Sequence, residues 1–296
     1  MLQYLEKIGE LENTIVIVTS DNGMPFPRAK ALNYEYGVHV PLAIRFPKNF
    51  PGGRIVDDPI SFTDLAPTIL KLTFTDSKGM LPISGRSIVN ILKSKKEGIV
   101  DQTKKYVFAG RERHSSSRWN NLGFLQRIIR DKQHLYIWNM RSEHWPAGDP
   151  QAVKPGSGGE LLPLYGIDEK GKHHSDWAFT DVDESPSKAF LVENFRDENI
   201  IPFFELAFAH RPEFELYDVV NDPLCLKNLA GNPSFNKIEQ TLKSELMKEL
   251  TDSKDPRVVG PDPEIFDSYL RYSPIREFPK HDSEKYSNSN IFKKIH

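Results

Sequence analysis

The side chains best suited to chemistry near the start of the chain are a carboxylate, an amide and an ammonium that share one loop. Asp21 and Asn22 stand before Gly23, and Lys30 follows nine residues after Asp21. Carboxylate and amide oxygens are ligands of hard ions such as Ca²⁺ or Mg²⁺, and a nearby cation suits an anionic substrate. The same residues also suit an ordinary turn, because Asn and Gly tolerate left-handed backbone. The local sequence leaves a metal site and a simple turn as alternatives.

The segment before this loop predicts the element that positions it. Residues 14–19, Thr-Ile-Val-Ile-Val-Thr, are apolar or β-branched, and the run is too short to span a membrane. It therefore predicts a buried strand of an α/β sheet, with Asp21 and Asn22 at its C-terminal end. In open α/β sheets, ligands bind at that edge.

Apolar periodicity outlines the elements around the loop. Apolar residues recur at helical spacing over 2–8, and Gly9 stands where that helix would end. Asp64 falls in the first turn of a later helix, where a carboxylate complements the helix dipole, so we expect a structural role for it. The predicted elements are, in order, a helix over 2–8, strands over 14–19 and 41–46, a helix over 63–72, strands over 106–109, 124–130 and 134–138, and helices over 187–195 and 238–250.

Several short motifs stand in the order in which one enzyme family carries them. Asp21-Asn22-Gly23 is followed by Lys30 and then by Tyr34-Glu35-Tyr36-Gly37. The further segments are Asp64-Leu65-Ala66-Pro67-Thr68, Gly85-Arg86-Ser87, Phe214-Glu215-Leu216-Tyr217-Asp218, Asn221-Asp222-Pro223 and Asn228-Leu229-Ala230. On these residues the chain resembles the sulfatase family of the alkaline phosphatase superfamily.

The resemblance implies a fold class, α/β, and a domain division. Residues 1–95 would form the C-terminal part of an α/β domain with an alkaline-phosphatase-like mixed sheet flanked by helices. Residues 96–296 would form a smaller α+β subdomain with an antiparallel sheet, after a charged segment near 93–98. Residues 141–185 are dense in Gly, Pro and charge and predict a long surface insertion. The polar stretch from about Ser273 is also expected at the surface.

The sequence around the first motif narrows the resemblance. Met24-Pro25-Phe26-Pro27 resembles the heparan N-sulfatase (sulfamidase) branch, and Gly110-Arg111-Glu112-Arg113-His114 resembles a segment of its bacterial relatives. The implied substrate is a sulfated saccharide, with N-sulfated glucosamine of heparan-type glycans foremost, in glycosaminoglycan degradation. Asp21 and Asn22 would then hold Ca²⁺. Lys30 would contact the sulfate and act catalytically by stabilising its charge in the transition state.

Further cations are candidates for binding the substrate. His39 lies close in sequence to the loop and could contact the sugar or donate a proton, although a packed histidine is an equal alternative. Arg111, Arg113 and His114 would suit a sulfated sugar, because arginine forks bind carboxylate or sulfate. A solvated basic loop is the alternative for these three residues.

The family's nucleophile motif is missing from this sequence. Sulfatases make a formylglycine from Cys or Ser in Cys/Ser-x-Pro/Ala-x-Arg, whereas the single cysteine, Cys225, stands in Cys-Leu-Lys-Asn-Leu and is expected to be a packed thiol. We therefore interpret the sequence as the C-terminal part of a longer sulfatase whose N-terminal half supplies the formylglycine and the remaining metal ligands. The 296-residue chain alone is expected to be inactive.

Three other interpretations stay open at this point. A phosphonate or phosphodiester hydrolase of the same superfamily would use similar metal ligands. A truncated pseudoenzyme would at most bind sulfated glycans. His173-His174 with Asp176 superficially suggests a transition-metal site, but the three residues stand in the Gly- and charge-rich segment.

Composition limits the partners. The 39 basic and 41 acidic residues give a net charge of −2, so no overall field points to nucleic acid or to a membrane surface. A single cysteine excludes an internal disulfide. The resemblance suggests a periplasmic, secreted or lysosomal protein, and the oligomeric state is not predicted.

Overall fold

The computed structural model describes residues 1–269 and residue 278. The chain divides into two compact units, each built from separate stretches of sequence. The first unit comprises Met1–Asp21, Val40–Phe108 and Ile129–His134, and the second comprises Asn22–His39, Ala109–Ile128 and the described residues from Leu135 onward. The segment from about Ser273 lies outside the described residues, apart from Phe278, which is buried.

Each predicted helix and strand has a counterpart close to its expected bounds. The helices are α1 (Leu2–Lys7), α2 (Glu35–Val38), α3 (Leu65–Leu72), α4 (Val89–Lys93), α5 (Pro186–Glu193), α6 (Ile201–Phe208), α7 (Asn236–Asp252) and α8 (Pro256–Val259). The strands are β1 (Val16–Thr19), β2 (Leu42–Arg45), β3 (Val107–Arg111), β4 (Gln126–Arg130), β5 (His134–Asn139) and β6 (Phe214–Asp218). Within the described residues, no helix combines the length and the apolar character needed to cross a bilayer.

The strands form two sheets. β1 and β2 pair in antiparallel fashion, with Val16 opposite Arg45. β3, β4, β5 and β6 form a four-stranded antiparallel sheet in that spatial order. This mixed α/β architecture confirms the predicted fold class.

The expectation that β1 is a buried strand is wrong for most of its length. Val16 is buried, but Val18 is 59% exposed. The reason is that, in the described part of the chain, β1 has β2 as its single strand partner in a two-stranded sheet. Apolar, β-branched composition predicts a strand correctly, whereas burial depends on which elements cover it.

Asp64 has the structural role expected of it. Its carboxylate accepts a hydrogen bond from the Ser61 backbone nitrogen at 2.8 Å, which completes a capping box at the start of the helical segment. It also accepts from the Arg86 backbone nitrogen at 2.9 Å and pairs with Lys104. Two of the motifs, Asp64-Leu65-Ala66-Pro67-Thr68 and Gly85-Arg86-Ser87, are therefore joined by one carboxylate.

Residues 141–185 do not lie wholly at the surface, although their composition predicts a surface segment. They contain little regular structure, but Trp145, Tyr165 and Phe179 are almost fully buried in one apolar cluster. Val192 of α5 and Phe204 of α6 pack into the same cluster. The aromatic residues outweigh the surrounding Gly, Pro and charge, because each buries a large apolar area.

A buried carboxylate, Glu215 of β6, connects the sheet to the loop after Gly23. Glu215 is 2% exposed and accepts hydrogen bonds from the Tyr34 hydroxyl at 3.0 and 3.1 Å and from Asn139 Nδ2 at 2.7 Å. The Tyr217 hydroxyl also donates to it. Burial raises the pKa of Tyr34 and of Tyr217, so both hydroxyls keep their protons and remain donors.

The same network continues to β4 and to the loop backbone. Gln126 Nε2 donates to Asn139 Oδ1 at 2.8 Å, and Gln126 Oε1 accepts from the Asn33 backbone nitrogen at 3.1 Å. The guanidinium group of Arg28 lies over the Tyr34 ring, with its central carbon 3.9 Å from the ring centroid. The loop is thus fixed by side chains that contact several elements at once.

We expect Glu215→Gln to lower the free energy of unfolding by about 2–4 kcal/mol, because the new amide group turns a donor toward groups that are themselves donors. Chemical denaturation measures this change. Glu213→Gln is the matched control, because Glu213 is exposed directly before β6 and should shift stability by less than about 0.5 kcal/mol. Equal effects of the two substitutions would contradict the structural role of the buried carboxylate.

His173 gives the fold a dependence on pH. Its ring is 7% exposed, and Nδ1 lies 3.0 Å from the Tyr165 carbonyl oxygen. Burial, with a smaller contribution from Lys188, lowers the pKa of His173 to about 4 from its ordinary value of 6.5. Protons therefore bind the unfolded chain first as the pH falls.

We expect preferential protonation of His173 in the unfolded chain to lower the free energy of unfolding by up to about 3 kcal/mol as the pH falls from 6.5 to 4. Above pH 6.5 this loss is absent. The unfolding free energies of wild type and His173→Leu, measured across this range, should converge as the pH falls. Parallel curves would show that His173 does not titrate differently in the folded and unfolded chains.

Candidate functional site

The loop that carries the first motif is held by two glycines at close backbone contacts. A Cβ on Gly23 would lie 2.0 Å from the Tyr36 carbonyl oxygen, and one on Gly37 would lie 1.9 Å from the Leu32 carbonyl oxygen. Neither position admits a side chain without moving the backbone. The loop between them is therefore compact, with closely packed backbone.

Asp21 and Asn22 stand at the entrance to this loop. Asp21 is exposed and ends the opening stretch of the first unit, whereas Asn22 is half-buried and begins the second unit. One carboxylate and one amide carbonyl are hard oxygen donors, which fits a share of the six to eight ligands that Ca²⁺ takes. Among the described residues, no group of three or more His, Cys, Asp or Glu is placed to hold a metal ion. The two residues fit part of a calcium site.

Lys30 lies within the compact loop and forms an ion pair. Its backbone nitrogen donates to the Met24 carbonyl oxygen at 2.9 Å, and its Nζ lies 2.7 Å from Asp183 Oδ2. The side chains of Lys30 and Asp183 are 31% and 37% exposed. The ammonium is thus fixed on a rigid backbone and remains accessible to a ligand.

His39 follows the loop and is oriented by Glu35. His39 Nδ1 lies 2.7 Å from Glu35 Oε1, and the His39 side chain is 66% exposed while that of Glu35 is 6% exposed. A buried carboxylate on Nδ1 favours the tautomer in which that nitrogen carries a proton. The Nε2 atom is then the one available to a substrate.

Arg111 and His114 meet at one buried carboxylate, Asp181. Arg111 Nη2 and Arg118 Nη2 lie 2.7 and 2.6 Å from Asp181 Oδ2, and His114 Nδ1 lies 3.5 Å from Asp181 Oδ1. The Ser117 hydroxyl donates to the same carboxylate at 2.8 Å.

The charges in this cluster depend on one another. Burial alone would raise the pKa of Asp181, but Arg118 and Arg111 hold it well below its ordinary value. Burial lowers the pKa of Arg111 to about 10, against the opposing effect of Asp181. Asp181 and Arg111 are therefore both charged near neutral pH, and two guanidinium groups share one carboxylate.

Arg113 does not join that cluster. Its Nη1 donates to the Asn121 carbonyl oxygen at 2.9 Å, and its Nη2 donates to the Tyr269 carbonyl oxygen at 3.4 Å. The structure therefore separates Arg113 from Arg111 and His114, although the three residues are close in sequence.

Two acidic residues that the sequence analysis did not single out organise the predicted cations. Asp181 holds Arg111 and His114, and Asp183 holds Lys30. Both stand in the segment that composition assigns to a surface insertion. The alternation Asp181-Val182-Asp183, with an apolar residue between two acids, is the one local signal that could have indicated a segment with a buried side.

The histidines of residues 173–174 have partners of their own. His174 Nε2 pairs with Asp168 Oδ2 at 2.9 Å and its ring stacks on Trp177, whereas His173 is buried against the Tyr165 carbonyl oxygen. The superficial metal motif of these histidines does not correspond to a cluster of ligands in the described residues.

Comparison with known proteins identifies relatives of this chain. The sulfatase family model matches residues 1–75. An ulvan-active sulfatase of Formosa agariphila is 30% identical over 254 residues, which cover 85% of this chain and 35% of that protein. Human N-sulphoglucosamine sulphohydrolase is 24% identical over 272 residues, which cover 88% of this chain and 46% of that protein. The chain thus spans between a third and a half of the length of these relatives.

Solved structures share the fold. A structure of a protein in complex with its substrate D-glucosamine-2-N,6-O-disulfate has a TM-score of 0.54 and 21% identity, and the match covers 91% of this chain and 39% of that chain. A 2-O GAG sulfatase has a TM-score of 0.52 and 18% identity, with 95% of this chain and 45% of that chain covered. The ordered motifs, the family model, the relatives and the shared fold agree, and the chain belongs to the sulfatase family.

Proposed function

We propose that this chain is part of a sulfatase that hydrolyses sulfuric esters or sulfamates, with N-sulfated glucosamine of heparan-type glycans as substrate. The observation that carries the proposal is the Lys30 ammonium, fixed in a compact loop directly after Asp21-Asn22-Gly23 and still accessible. The human N-sulphoglucosamine sulphohydrolase and the glucosamine disulfate complex among the similar proteins support the sugar and the N-sulfate.

The chain's own residues divide the work of binding and proton transfer. Lys30 donates to the sulfate oxygens and stabilises the negative charge that moves during S–N or S–O cleavage. His39, oriented by Glu35, presents Nε2 either to a sugar hydroxyl or to the departing group as a proton donor. Arg111 and His114, both held by Asp181, and Arg113 on its own segment contribute hydrogen-bond donors to the binding of sulfated sugar.

Asp21 and Asn22 would hold Ca²⁺, which when bound neutralises sulfate oxygens and orients the nucleophile. The sequence contains no Cys/Ser-x-Pro/Ala-x-Arg, so a formylglycine nucleophile has to come from outside these 296 residues. In this proposal, the chain supplies the cationic side of the sulfate site and two oxygen ligands of the metal.

A phosphonate or phosphodiester hydrolase is the less favoured alternative, because the family model and the relatives reported above are sulfatases. A sulfated-glycan-binding pseudoenzyme differs from the proposed function in one respect, the missing nucleophile. Both predict binding without turnover for these 296 residues, so the two are separated by whether the reading frame upstream of Met1 encodes a Cys/Ser-x-Pro/Ala-x-Arg motif.

The purified 296-residue chain is expected to release no sulfate from N-sulfated glucosamine or from an aryl sulfate with Ca²⁺ present, since it contains no formylglycine motif. Sulfate release is measured by ion chromatography over hours at high chain concentration. Turnover that scales with chain concentration would disprove the assignment of the nucleophile to residues outside the chain.

Lys30→Met is expected to weaken binding of glucosamine N-sulfate to the chain by about 10-fold or more, because a hydrogen bond to a charged group is lost. Lys30→Arg should retain most of the affinity. Isothermal titration calorimetry measures both, with Lys237→Met on the exposed surface of α7 as the control. Unchanged affinity in Lys30→Met would remove the observation on which the proposed function depends.

A further inference from the structure

We propose that Lys30 and Asp183 together form a recognition site for the sulfamate group, R–NH–SO₃⁻, which distinguishes it from a sulfate ester. The inference rests on the proposed function and adds to it a residue, Asp183, and a basis for N-sulfate selectivity. Its starting point is the geometry of one accessible ion pair, with Lys30 Nζ 2.7 Å from Asp183 Oδ2.

Both members of the pair are attached to backbone that is held in place. Lys30 belongs to the compact loop between Gly23 and Gly37. On the other side, the buried Lys188 Nζ donates to the carbonyl oxygen of Val182 at 3.0 Å, and Val182 is 5% exposed. The Asp183 side chain therefore extends from backbone that is held in place, and the pair is already arranged before a ligand binds.

Asp183, unlike Asp181, can accept a hydrogen bond from a ligand. The Asp181 carboxylate is 1% exposed and already has Arg111, Arg118 and Ser117 as partners. The Asp183 side chain is 37% exposed and pairs with Lys30. The neighbouring acids thus have different roles, one in holding buried arginines and one at the surface.

The pair offers what a sulfamate requires. The sulfonate oxygens accept hydrogen bonds from the Lys30 ammonium, which has three donors, and the sulfamate N–H donates to the Asp183 carboxylate. A sulfate ester has an oxygen in place of this N–H. The Asp183 carboxylate would then face acceptor atoms of an anion, which costs affinity through unpaired groups and like-charge repulsion.

The same carboxylate suits the product. Hydrolysis of R–NH–SO₃⁻ by water breaks the S–N bond, forms a new S–O bond and gives R–NH₃⁺ and SO₄²⁻. The nitrogen gains two protons and becomes a cation next to Asp183. A sulfate ester gives a neutral hydroxyl, for which the carboxylate provides no comparable attraction.

A surface cleft lies on residues that adjoin the pair in sequence. It has a volume of about 620 Å³ and is lined by Arg28 from the loop and by Pro186, Phe190 and Phe203 from α5 and α6. Arg28 is two residues from Lys30 and Pro186 is three residues from Asp183, so the Cα atoms of each two residues lie within about 8 and 11 Å of one another. The cleft has the volume of a small-molecule site.

Calorimetry with two matched ligands tests the proposal on the 296-residue chain. Glucosamine N-sulfate and glucose 2-O-sulfate differ at the linking atom, so their affinities isolate the N–H. We expect the N-sulfate to bind about 10-fold more tightly to wild type. Asp183→Asn should weaken the N-sulfate by a similar factor and tighten the O-sulfate, so that the ratio of affinities approaches one.

The matched control is Asp252→Asn, which removes the comparable ion pair between Lys248 and Asp252 on α7 and should change neither affinity. A change of equal factor and sign for both ligands in Asp183→Asn would overturn the inference, because Asp183 would then only position or screen Lys30. If Lys30→Met weakens binding but Asp183→Asn leaves the ratio of the two affinities unchanged, the inference about Asp183 fails and the proposed function stands. If neither ligand binds wild type at millimolar concentration, both proposals fail for this chain.

Discussion

The buried carboxylate of Glu215 is the interaction on which the rest of the second unit depends. It takes hydrogen bonds from Tyr34 of the loop, from Asn139 of β5 and from Tyr217 of its own strand. An acceptor that satisfies three donors at once forces the loop and the sheet into one arrangement, since each donor would be costly to bury alone. This contact joins two of the motifs that are far apart in sequence, Tyr34-Glu35-Tyr36-Gly37 and Phe214-Glu215-Leu216-Tyr217-Asp218.

Two further acids, Asp181 and Asp183, pair with the cations of the candidate site. Asp181 stays ionised in a buried position because two guanidinium groups and a hydroxyl surround it, and it holds Arg111 and His114 on one segment. Asp183, two residues further, remains at the surface and holds Lys30. Cations that lie close together need such acids, because unpaired cations packed side by side would repel one another and lose hydration.

Local pattern predicted the elements better than it predicted their surroundings. Residues 14–19 form a strand as expected, but exposure of Val18 depends on what covers the sheet, which periodicity does not record. α6 was not predicted, since Ile-Pro-Phe-Phe-Glu-Leu-Ala-Phe is apolar around most of its circumference and gives no clear helical period. The candidate site divides in the same way. Lys30, His39 and Arg111 are candidates that the sequence alone indicates, whereas Asp181 and Asp183 are recognised only when distant segments meet.

We infer that the loop after Asp21-Asn22-Gly23 presents a preorganised cation, the Lys30 ammonium, to the sulfate of a sulfated sugar. A crystal structure of the chain with glucosamine N-sulfate is the most direct measurement. We expect sulfonate oxygens within hydrogen-bond distance of Lys30 Nζ and the sulfamate nitrogen next to the Asp183 carboxylate, with the loop backbone and its close contacts at Gly23 and Gly37 unchanged. A sulfonate group bound elsewhere, with the Lys30 and Asp183 pair intact and uncontacted, would contradict it.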